Sequence, residues 1–422
     1  MSIQSFTIKK GVNLHHINTN KFKTTSLGFY FHRPLTMQEA TINALLSNVI
    51  KRACPSYPDT AQLSRRLDEL YGAILDCGVR KKGDLQIIHI NFEFINEAYI
   101  ANKQGITESV FSLAQEIVTG QTSFSEQHVM QEKESLRRLI LSLINDKRSY
   151  ANMRCIEIMC ENEPHGVREQ GVVEQIDEIS QTQLYQHYKD VLLTSPVDVF
   201  ICGDIDIDWV RQRLEQMFSN TNCESPHYPK TQIIKAANQL KRVTETENIA
   251  QGKLSSGFNT GINITSERYP ALVIFNALFG GGPYSKLFNN VRERLSLAYY
   301  VSSRAEAFKG YLSVNSGIEV ADFQKAFDEI MLQLKHIQNN DITEDELSAA
   351  VLTTVNSIKS IADSAAMMED YWLGRLLMGS QIDFDQFVEQ VKNVAAKDVV
   401  DIAKDIVPDT VYFLKGKETQ SA

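Results

Sequence analysis

Apolar and polar residues recur at two spacings along the chain, and each spacing predicts a different element. Strict alternation in residues 85–94 and 311–318 predicts strands with one buried face. Spacings of three and four residues predict amphipathic helices; in residues 41–51 the apolar stripe consists of Ile42, Leu45, Leu46, Val49 and Ile50. Alternating strands interspersed with such helices favour an antiparallel sheet covered on one face by helices.

The predicted elements occur twice in the same order, which indicates an internal duplication. The paired segments are a strand with a central glycine (26–30 and 255–258), an amphipathic helix (63–70 and 287–297), a hairpin glycine (Gly83 and Gly310), a long helix with a candidate N-cap (Ser125 and Thr343), and a closing strand that ends in glycine (197–203 and 410–416). We therefore predict an α+β fold of two homologous halves, 1–218 and 241–422, joined by a linker at 219–240.

Length and composition agree with two domains of a soluble globular protein. The chain has 422 residues, more than a single core usually holds, and 43% of them are hydrophobic. The net charge of −9 argues against binding to nucleic acid. We find neither a signal peptide nor an apolar run that would span a membrane, and the six cysteines form no CxxC pair. These features predict a cytoplasmic protein with reduced thiols.

Motifs for other chemistries are missing from the sequence. None of the nine histidines has a second histidine four residues later, and no GxSxG elbow occurs. The adjacent His15 and His16 are interpreted as a solvated pair. The glycines Gly280, Gly281 and Gly282 precede Pro283 without the lysine of a phosphate loop, so we interpret them as a turn between helices.

The segment at residues 285–301 (SKLFNNVRERLSLAYYV), together with the duplicated α+β order, resembles the M16 metallopeptidases, which include insulinase, pitrilysin and mitochondrial processing peptidase relatives. The resemblance covers essentially the whole chain. It implies two halves of the LuxS/mitochondrial-processing-peptidase-like metallohydrolase fold. It also implies that Arg292 and Tyr299, the signature pair of the second half, bind substrate, and that Gly280, Gly281 and Gly282 border the substrate site. Without the resemblance, the pair would be interpreted as a surface arginine and a packed tyrosine.

Active members of that family carry HxxEH on a helix of the first half and a third metal ligand, a glutamate, on a later helix. In this chain the corresponding positions are Ala44, Ser47, Asn48 and Leu139. None of these side chains can serve as a zinc ligand in such a site or as its general base. We therefore expect no catalytic residue and no metal or cofactor in this chain. Glu132 and Glu134 remain nearby and are interpreted as a solvated helix face.

Residues 144–166 further resemble non-catalytic bacterial members of the family, which pair with a homologue that keeps HxxEH. The resemblance implies a non-catalytic, peptide-binding subunit of a cytosolic heterodimer, in which zinc is held only by the partner. Its other partner would be a peptide or an unfolded polypeptide, bound by addition to a sheet edge; no nucleic acid or membrane is expected, and the family permits a homodimer of the chain alone. The alternatives are a purely structural assembly subunit and, third, a self-sufficient zinc peptidase.

Overall fold

The computed structural model describes residues 3–100, 105–219, 221, 230–234 and 239–417. The chain forms two compact units, each made of three segments. The first unit contains Met1–Leu141, Val167–Lys230 and Ser364–Gly374, and the second contains Ser142–Gly166, Thr231–Asp363 and Arg375–Ala422. Much of the predicted linker 219–240 lies outside the described residues.

The first unit is built on a six-stranded sheet. Its strands are β1 (Gln4–Lys9), β2 (Val12–Ile17), β3 (Thr24–Pro34), β4 (Ile74–Lys82), β5 (Leu85–Ile95) and β6 (Val197–Cys202). They lie in the order β1-β2-β6-β3-β5-β4, so β4 forms one edge of this sheet.

The second unit is built on a five-stranded sheet. Its strands are β7 (Lys241–Glu247), β8 (Gly252–Asn259), β9 (Ala298–Glu306), β10 (Tyr311–Ile318) and β11 (Val407–Gly416). They lie in the order β7-β11-β8-β10-β9, which repeats β2-β6-β3-β5-β4 of the first sheet strand for strand. The predicted α+β fold with two related halves is therefore confirmed.

Each sheet is antiparallel except for one pair of strands. β2 runs parallel to β6, and β7 runs parallel to β11. The alternation of single strands could not reveal this exception, because parallel pairing depends on where the chain re-enters the sheet. β6 and β11 each follow a series of helices, and a helical crossover can return the chain in the same direction.

The helices also repeat between the two halves of the sequence. Those of the amino-terminal half are α1 (Ala40–Ile50), α2 (Thr60–Glu69), α3 (Ile106–Val118), α4 (Glu126–Ser142), α5 (Lys147–Met159), α6 (Gln181–Thr194) and α7 (Ile207–Met217). Those of the carboxy-terminal half are α8 (Tyr269–Phe279), α9 (Phe323–Gln338), α10 (Glu344–Ile361), α11 (Ala365–Leu377), α12 (Phe384–Lys392) and α13 (Ala396–Asp405). Thr343 closes a capping box at the start of α10, as predicted. The helix predicted at 287–297 is instead a π-helix over Phe288–Arg294.

The core of the first unit lies between its sheet and its helices. Leu27, Phe29 and Phe31 of β3 belong to the same buried cluster as Leu45 and Leu46 of α1. These alternate residues define one face of β3, so the residues between them point to the opposite face. We call that opposite side the second face of the first sheet.

One helix of each sequence half belongs to the other unit. Helix α5 lies in the second unit, where a Cβ atom added to Gly257 of β8 would come within 2.5 Å of Sδ of Met159. Residues 364–374, which begin α11, lie in the first unit, where a Cβ on Gly28 of β3 would come within 3.0 Å of Oε2 of Glu369. A division at 1–218 and 241–422 misses this exchange, because these helices pack on sheets distant from them in sequence.

No helix among the described residues is both long enough and apolar enough to cross a membrane.

Candidate functional site

Helix α1 carries three of the positions that the sequence predicts to correspond to the metal site of active relatives. Ala44 and Ser47 are buried, and Asn48 is partly exposed. The Oγ of Ser47 donates a hydrogen bond to the carbonyl oxygen of Ala44 at 2.9 Å, which satisfies the hydroxyl within its own helix. The face therefore presents a methyl group, an internally bonded hydroxyl and an amide. None of these fits a zinc ion in place of imidazole and carboxylate.

Helix α4 carries the position predicted for the third ligand. Leu139 is 46% exposed and offers no donor atom to a metal. Glu132, seven residues earlier, is buried, and one of its carboxylate oxygens accepts hydrogen bonds from the guanidinium of Arg52.

The interpretation of Glu132 as solvated is therefore wrong, whereas Glu134 is exposed as expected. Glu132 lies on the stripe formed by Val129, Leu136 and Ile140, which points into the core. This spacing could be recognised in the sequence. The pairing with Arg52, which compensates the buried charge, could not be predicted, because Arg52 follows a different helix, α1.

Groups of three or more histidine, cysteine, aspartate and glutamate side chains suited to a metal ion do not occur among the residues that the structure describes. The positions at Ala44, Ser47, Asn48 and Leu139 therefore have no nearby substitute set of ligands within the described part of the chain.

The glycine-rich turn lies against the edge strand of the second sheet. The carbonyl oxygen of Gly280 accepts a hydrogen bond from the backbone N–H of Ser303 in β9 at 2.9 Å. A Cβ atom on Gly280 would lie 2.7 Å from Oγ of Ser303, and one on Gly281 would lie 2.9 Å from the carbonyl oxygen of Asn276. An added Cβ on Gly282 would meet nothing within 4 Å. Gly280 thus permits a close backbone approach to the middle of β9, whereas Gly281 permits a close approach to the end of α8.

Arg292 and Tyr299 have separate partners in the second unit. Arg292 lies in the π-helix, 43% exposed, with its guanidinium over the ring of Phe288 at 4.7 Å. Tyr299, at the start of β9, is 59% exposed, and its hydroxyl donates to the carboxylate of Glu319. This hydrogen bond to the carboxylate raises the pKa of Tyr299. Both side chains are accessible donors, but each already has a partner.

The edge strand of the first sheet is more open than β9. Lys82 and Leu85 pair across a two-residue turn, so the main-chain groups of Leu75, Cys77 and Val79 point away from β5. The N–H of Lys81, on the same side, donates to Oε2 of Glu169 at 2.7 Å. Within the described residues, the outward main-chain groups of Cys77 and Val79 have no hydrogen-bond partner. They form a short edge to which another strand can pair.

A buried cluster on the second face of the first sheet was not predicted from the sequence. His15 and His32 approach the two carboxylate oxygens of Asp198 through their Nε2 atoms, at 3.0 and 2.9 Å. These two hydrogen bonds lower the pKa of Asp198 despite its burial. His15 and His16 are each only 4% exposed, so the interpretation of a solvated pair is wrong. They lie within β2 and not at its free end. The neighbouring strands β1 and β6 pair with β2 on both sides and cover them.

A second buried pair lies on the same face. The hydroxyl of Tyr30 donates to Oε2 of Glu369 on α11 at 2.8 Å. Burial raises the pKa of Glu369 to about 7 and also raises that of Tyr30. The two residues are 339 positions apart in sequence, so no local pattern predicts the pair.

Comparison with known proteins identifies relatives of this chain. Residues 178–353 match the family model described as the Peptidase M16 inactive domain. The chain is 35% identical over 420 residues to the "Probable inactive metalloprotease YmfF" of Bacillus subtilis (strain 168), with 97% of each chain covered.

Solved structures agree with this similarity. The crystal structure of a conserved protein from Enterococcus faecalis V583 superposes with a TM-score of 0.92 at 29% identity, over 100% of both chains. The crystal structure of a peptidase M16 inactive domain from Pseudomonas fluorescens superposes with a TM-score of 0.79, again over 100% of both chains. At 14% identity, this second likeness concerns the fold alone.

Proposed function

Because this chain belongs to the M16 metallopeptidase family, as the resemblance of its sequence predicted, and is an inactive-type member of it, we propose that it is the non-catalytic, peptide-binding subunit of a cytoplasmic M16-type zinc protease. Its partner is a homologue that carries HxxEH and holds the zinc ion. The observation that supports this proposal best is the joint replacement of every metal-binding position, Ala44, Ser47, Asn48 and Leu139, within an otherwise complete fold.

Hydrolysis of a peptide needs an activated water molecule and a group that stabilises the developing oxyanion. Arg292 and Tyr299 can donate hydrogen bonds to a peptide carbonyl, but they cannot activate water. We therefore assign them a positioning role on substrate that the partner cuts. A Cβ atom added to Gly282 would meet nothing within 4 Å, so this glycine leaves open space at the turn, whereas Gly280 and Gly281 are explained by their contacts with the chain itself.

Strand β4 is the surface that we propose for peptide binding. An extended peptide that pairs with the outward main-chain groups of Cys77 and Val79 would extend the first sheet by one strand. The corresponding edge in the second unit is less suited, because Gly280 occupies the N–H of Ser303.

The substitution Val79→Pro tests this mode of binding. Proline removes the N–H that points to the added strand, and an edge strand tolerates it because the bonds to β5 do not use that group. Val79→Ala is the matched control, since it trims the side chain and keeps the N–H. We expect the proline variant to bind a fluorescent extended peptide about fivefold more weakly than the alanine variant, as one backbone hydrogen bond is lost. Equal affinities of the two variants would refute binding at β4.

A purely structural role is the second candidate. It is favoured by the closed edge of β9 and by the hydrogen bond that engages Tyr299 with Glu319. Arg292→Gln and Tyr299→Phe separate the two functions when each variant is assembled with the HxxEH-bearing homologue. A positioning role predicts weaker peptide hydrolysis by an intact complex. Unchanged hydrolysis in both variants, with assembly preserved, would favour the scaffold.

A further inference from the structure

Two cations flank one aromatic ring in the second unit. The guanidinium of Arg148, in the first turn of α5, lies over the ring of Tyr300 with Cζ 4.2 Å from the ring centroid. The Nζ of Lys253 on β8 lies 5.7 Å from the same centroid. Positive charges attract the face of an aromatic ring but repel each other. The ring of Tyr300 thus makes cation–π contacts with two like charges.

The sheet determines the position of the Tyr300 ring. Tyr300 of β9, Gly317 of β10 and Lys253 of β8 form one row across three neighbouring strands. A Cβ atom on Gly317 would lie 2.4 Å from Cε1 of Tyr300, so the glycine allows the ring to lie flat on the strand. The hydroxyl of Ser302, two residues along β9, accepts a hydrogen bond from Nη2 of Arg148 at 3.2 Å. These contacts fix the ring and the guanidinium in place.

The two cations are not neutralised by a carboxylate ion pair within the described part of the chain. Lys253 donates to the amide oxygen of Gln251, a neutral group. Asp146 is the N-cap of α5, and its carboxylate accepts from the backbone N–H groups of Arg148 and Ser149. Burial and the positive charge of Arg148 lower the pKa of Lys253, although the charge of Asp146 partly opposes this shift. A bound anion would relieve that repulsion.

Neighbouring cations on the same helix are neutralised by their own chain. Lys147 approaches Glu247 at 3.4 Å, and Arg154 bonds to Glu157 and Glu245. Among the three cations of α5, only Arg148 therefore has no carboxylate partner in an ion pair with the described residues. Arg148 is exposed, so a ligand can reach it from solvent.

We propose that Arg148, Lys253, Tyr300 and Ser302 form a carboxylate-binding subsite, which recognises either an acidic side chain or the carboxyl terminus of a bound polypeptide. The guanidinium and the ammonium supply charge-assisted hydrogen bonds, and Tyr300 holds the two cations at a fixed separation. This inference rests on the proposed peptide-binding function and adds a specificity to it. The net charge of −9 alone favours basic peptides, so an acidic preference would be local to this subsite.

Three matched peptides distinguish the two sources of carboxylate. The first is uncharged and blocked at both ends, the second carries one internal glutamate, and the third has a free carboxyl terminus. We expect one of the charged peptides to bind the wild-type chain about fivefold more tightly than the neutral peptide at low salt. Fluorescence anisotropy measures these affinities, and the peptide that gains identifies the source.

The gain should disappear in Arg148→Gln and in Lys253→Gln. It should persist in Lys147→Gln, which removes an adjacent cation that Glu247 already neutralises. A charged-peptide gain that survives both Arg148→Gln and Lys253→Gln would overturn the subsite. So would equal affinity for all three peptides, while the proposed peptide-binding function would still stand.

Failure of all three peptides to bind would count against the proposed function, and a second measurement then decides on the subsite. Lysines carrying 13C-methyl groups are titrated with inorganic phosphate, and the Lys253 resonance is identified by its loss in Lys253→Gln. The resonance should shift in the wild-type chain and stay fixed in Arg148→Gln. A resonance that does not respond to phosphate in the wild-type chain would overturn the proposal.

Discussion

The two units have equivalent sheets, but the side chains on the corresponding face of each sheet differ in their chemistry. In the first unit, the second face of the sheet holds ionisable residues, with Asp198 between two histidines and Tyr30 bonded to Glu369. In the second unit, the face beneath α5 also has charged residues, Arg148 and Lys253 beside Tyr300, but the hydrogen-bonded network around Asn315 is neutral. Oγ of Ser255 donates to Oδ1 of Asn315, whose Nδ2 donates to Asn152.

Both faces nevertheless have a glycine where the helix crosses the strand, Gly28 in one and Gly257 in the other. The shared topology therefore needs the close approach of a helix, which the glycine permits. It does not need the buried carboxylates and histidines of the first unit's second face, since the second unit has the same strand order without an equivalent cluster among its described residues. Burying charge opposes folding unless the charge is paired, so the first unit should be the more sensitive to pH and to loss of a partner.

The largest effect is expected from Asp198→Asn. The change removes the carboxylate that is hydrogen-bonded to His15 and His32 inside the sheet. Each hydrogen bond to a charged group contributes about 1.5–3 kcal/mol, so the loss of both should cost about 3–6 kcal/mol. Urea unfolding followed by tryptophan fluorescence reports on this unit, because both tryptophans, Trp209 and Trp372, belong to it. A loss below about 1 kcal/mol would show that the cluster does not stabilise the first unit.

Glu369 should make the stability of the first unit depend on pH. Burial raises its pKa to about 7, above that of the unfolded chain, so between about pH 4.5 and 7 only the folded state keeps the proton. Its stabilising contribution is complete below pH 4.5 and is lost as the pH rises through 7, by about 3 kcal/mol. Glu369→Gln is neutral throughout.

The difference in unfolding free energy between wild type and Glu369→Gln should therefore fall across this window. Burial and Arg80 lower the pKa of His89 to about 4, which makes stability rise between pH 4 and 6.5. That contribution is present in both proteins and cancels in the difference. A difference that does not change from pH 4.5 to 7 would contradict a protonated, buried Glu369.

Alanine at the two crossing glycines should have unequal effects. At Gly28 the new methyl would meet three groups, namely the ring of Tyr30, Oδ1 of Asn91 and Oε2 of Glu369, at 2.7, 2.8 and 3.0 Å. At Gly257 the three nearest atoms would all belong to the flexible side chain of Met159. We expect Gly28→Ala to lower the free energy of unfolding by about 2–3 kcal/mol and Gly257→Ala by about 1 kcal/mol. Hydrogen exchange resolved by segment measures both, and the reverse order would contradict the packing described.

A small effect is also expected in the second unit from Asn315→Ala. The side chain bonds only neutral partners, so its loss should cost about 1–2 kcal/mol. Hydrogen exchange of β8 and α5 should detect the change without any dependence on pH. A cost equal to that of Asp198→Asn would remove the distinction between the two faces.

The sequence was sufficient for the features that depend on local spacing. Alternation and helical periodicity placed α1 and the long strands, and the repeated order predicted two related sheets. The assignment of Ala44, Ser47 and Asn48 to the metal positions stays a prediction, because its register rests on the resemblance of the residues that follow, 54–63. Each of these inferences uses residues that are close together in the chain.

Features that depend on distant residues could not be predicted. The exchange of α5 and α11 and the bond from Tyr30 to Glu369 join segments far apart in sequence. The carbonyl of Gly280 bonds to β9 through the backbone, which leaves no side-chain signature. Burial of His15 depends on strands that pair with β2 on both sides, and β6 comes from the far end of the same half.

Zinc content measured alongside peptide hydrolysis tests the proposed function most directly. The isolated chain, purified in the presence of zinc, should hold far less than one zinc ion per molecule and should cleave no peptide. Assembled with an HxxEH-bearing homologue, the complex should contain about one zinc ion per heterodimer and should hydrolyse peptides. One tightly bound zinc ion in the isolated chain, with hydrolysis that a chelator abolishes, would contradict the account.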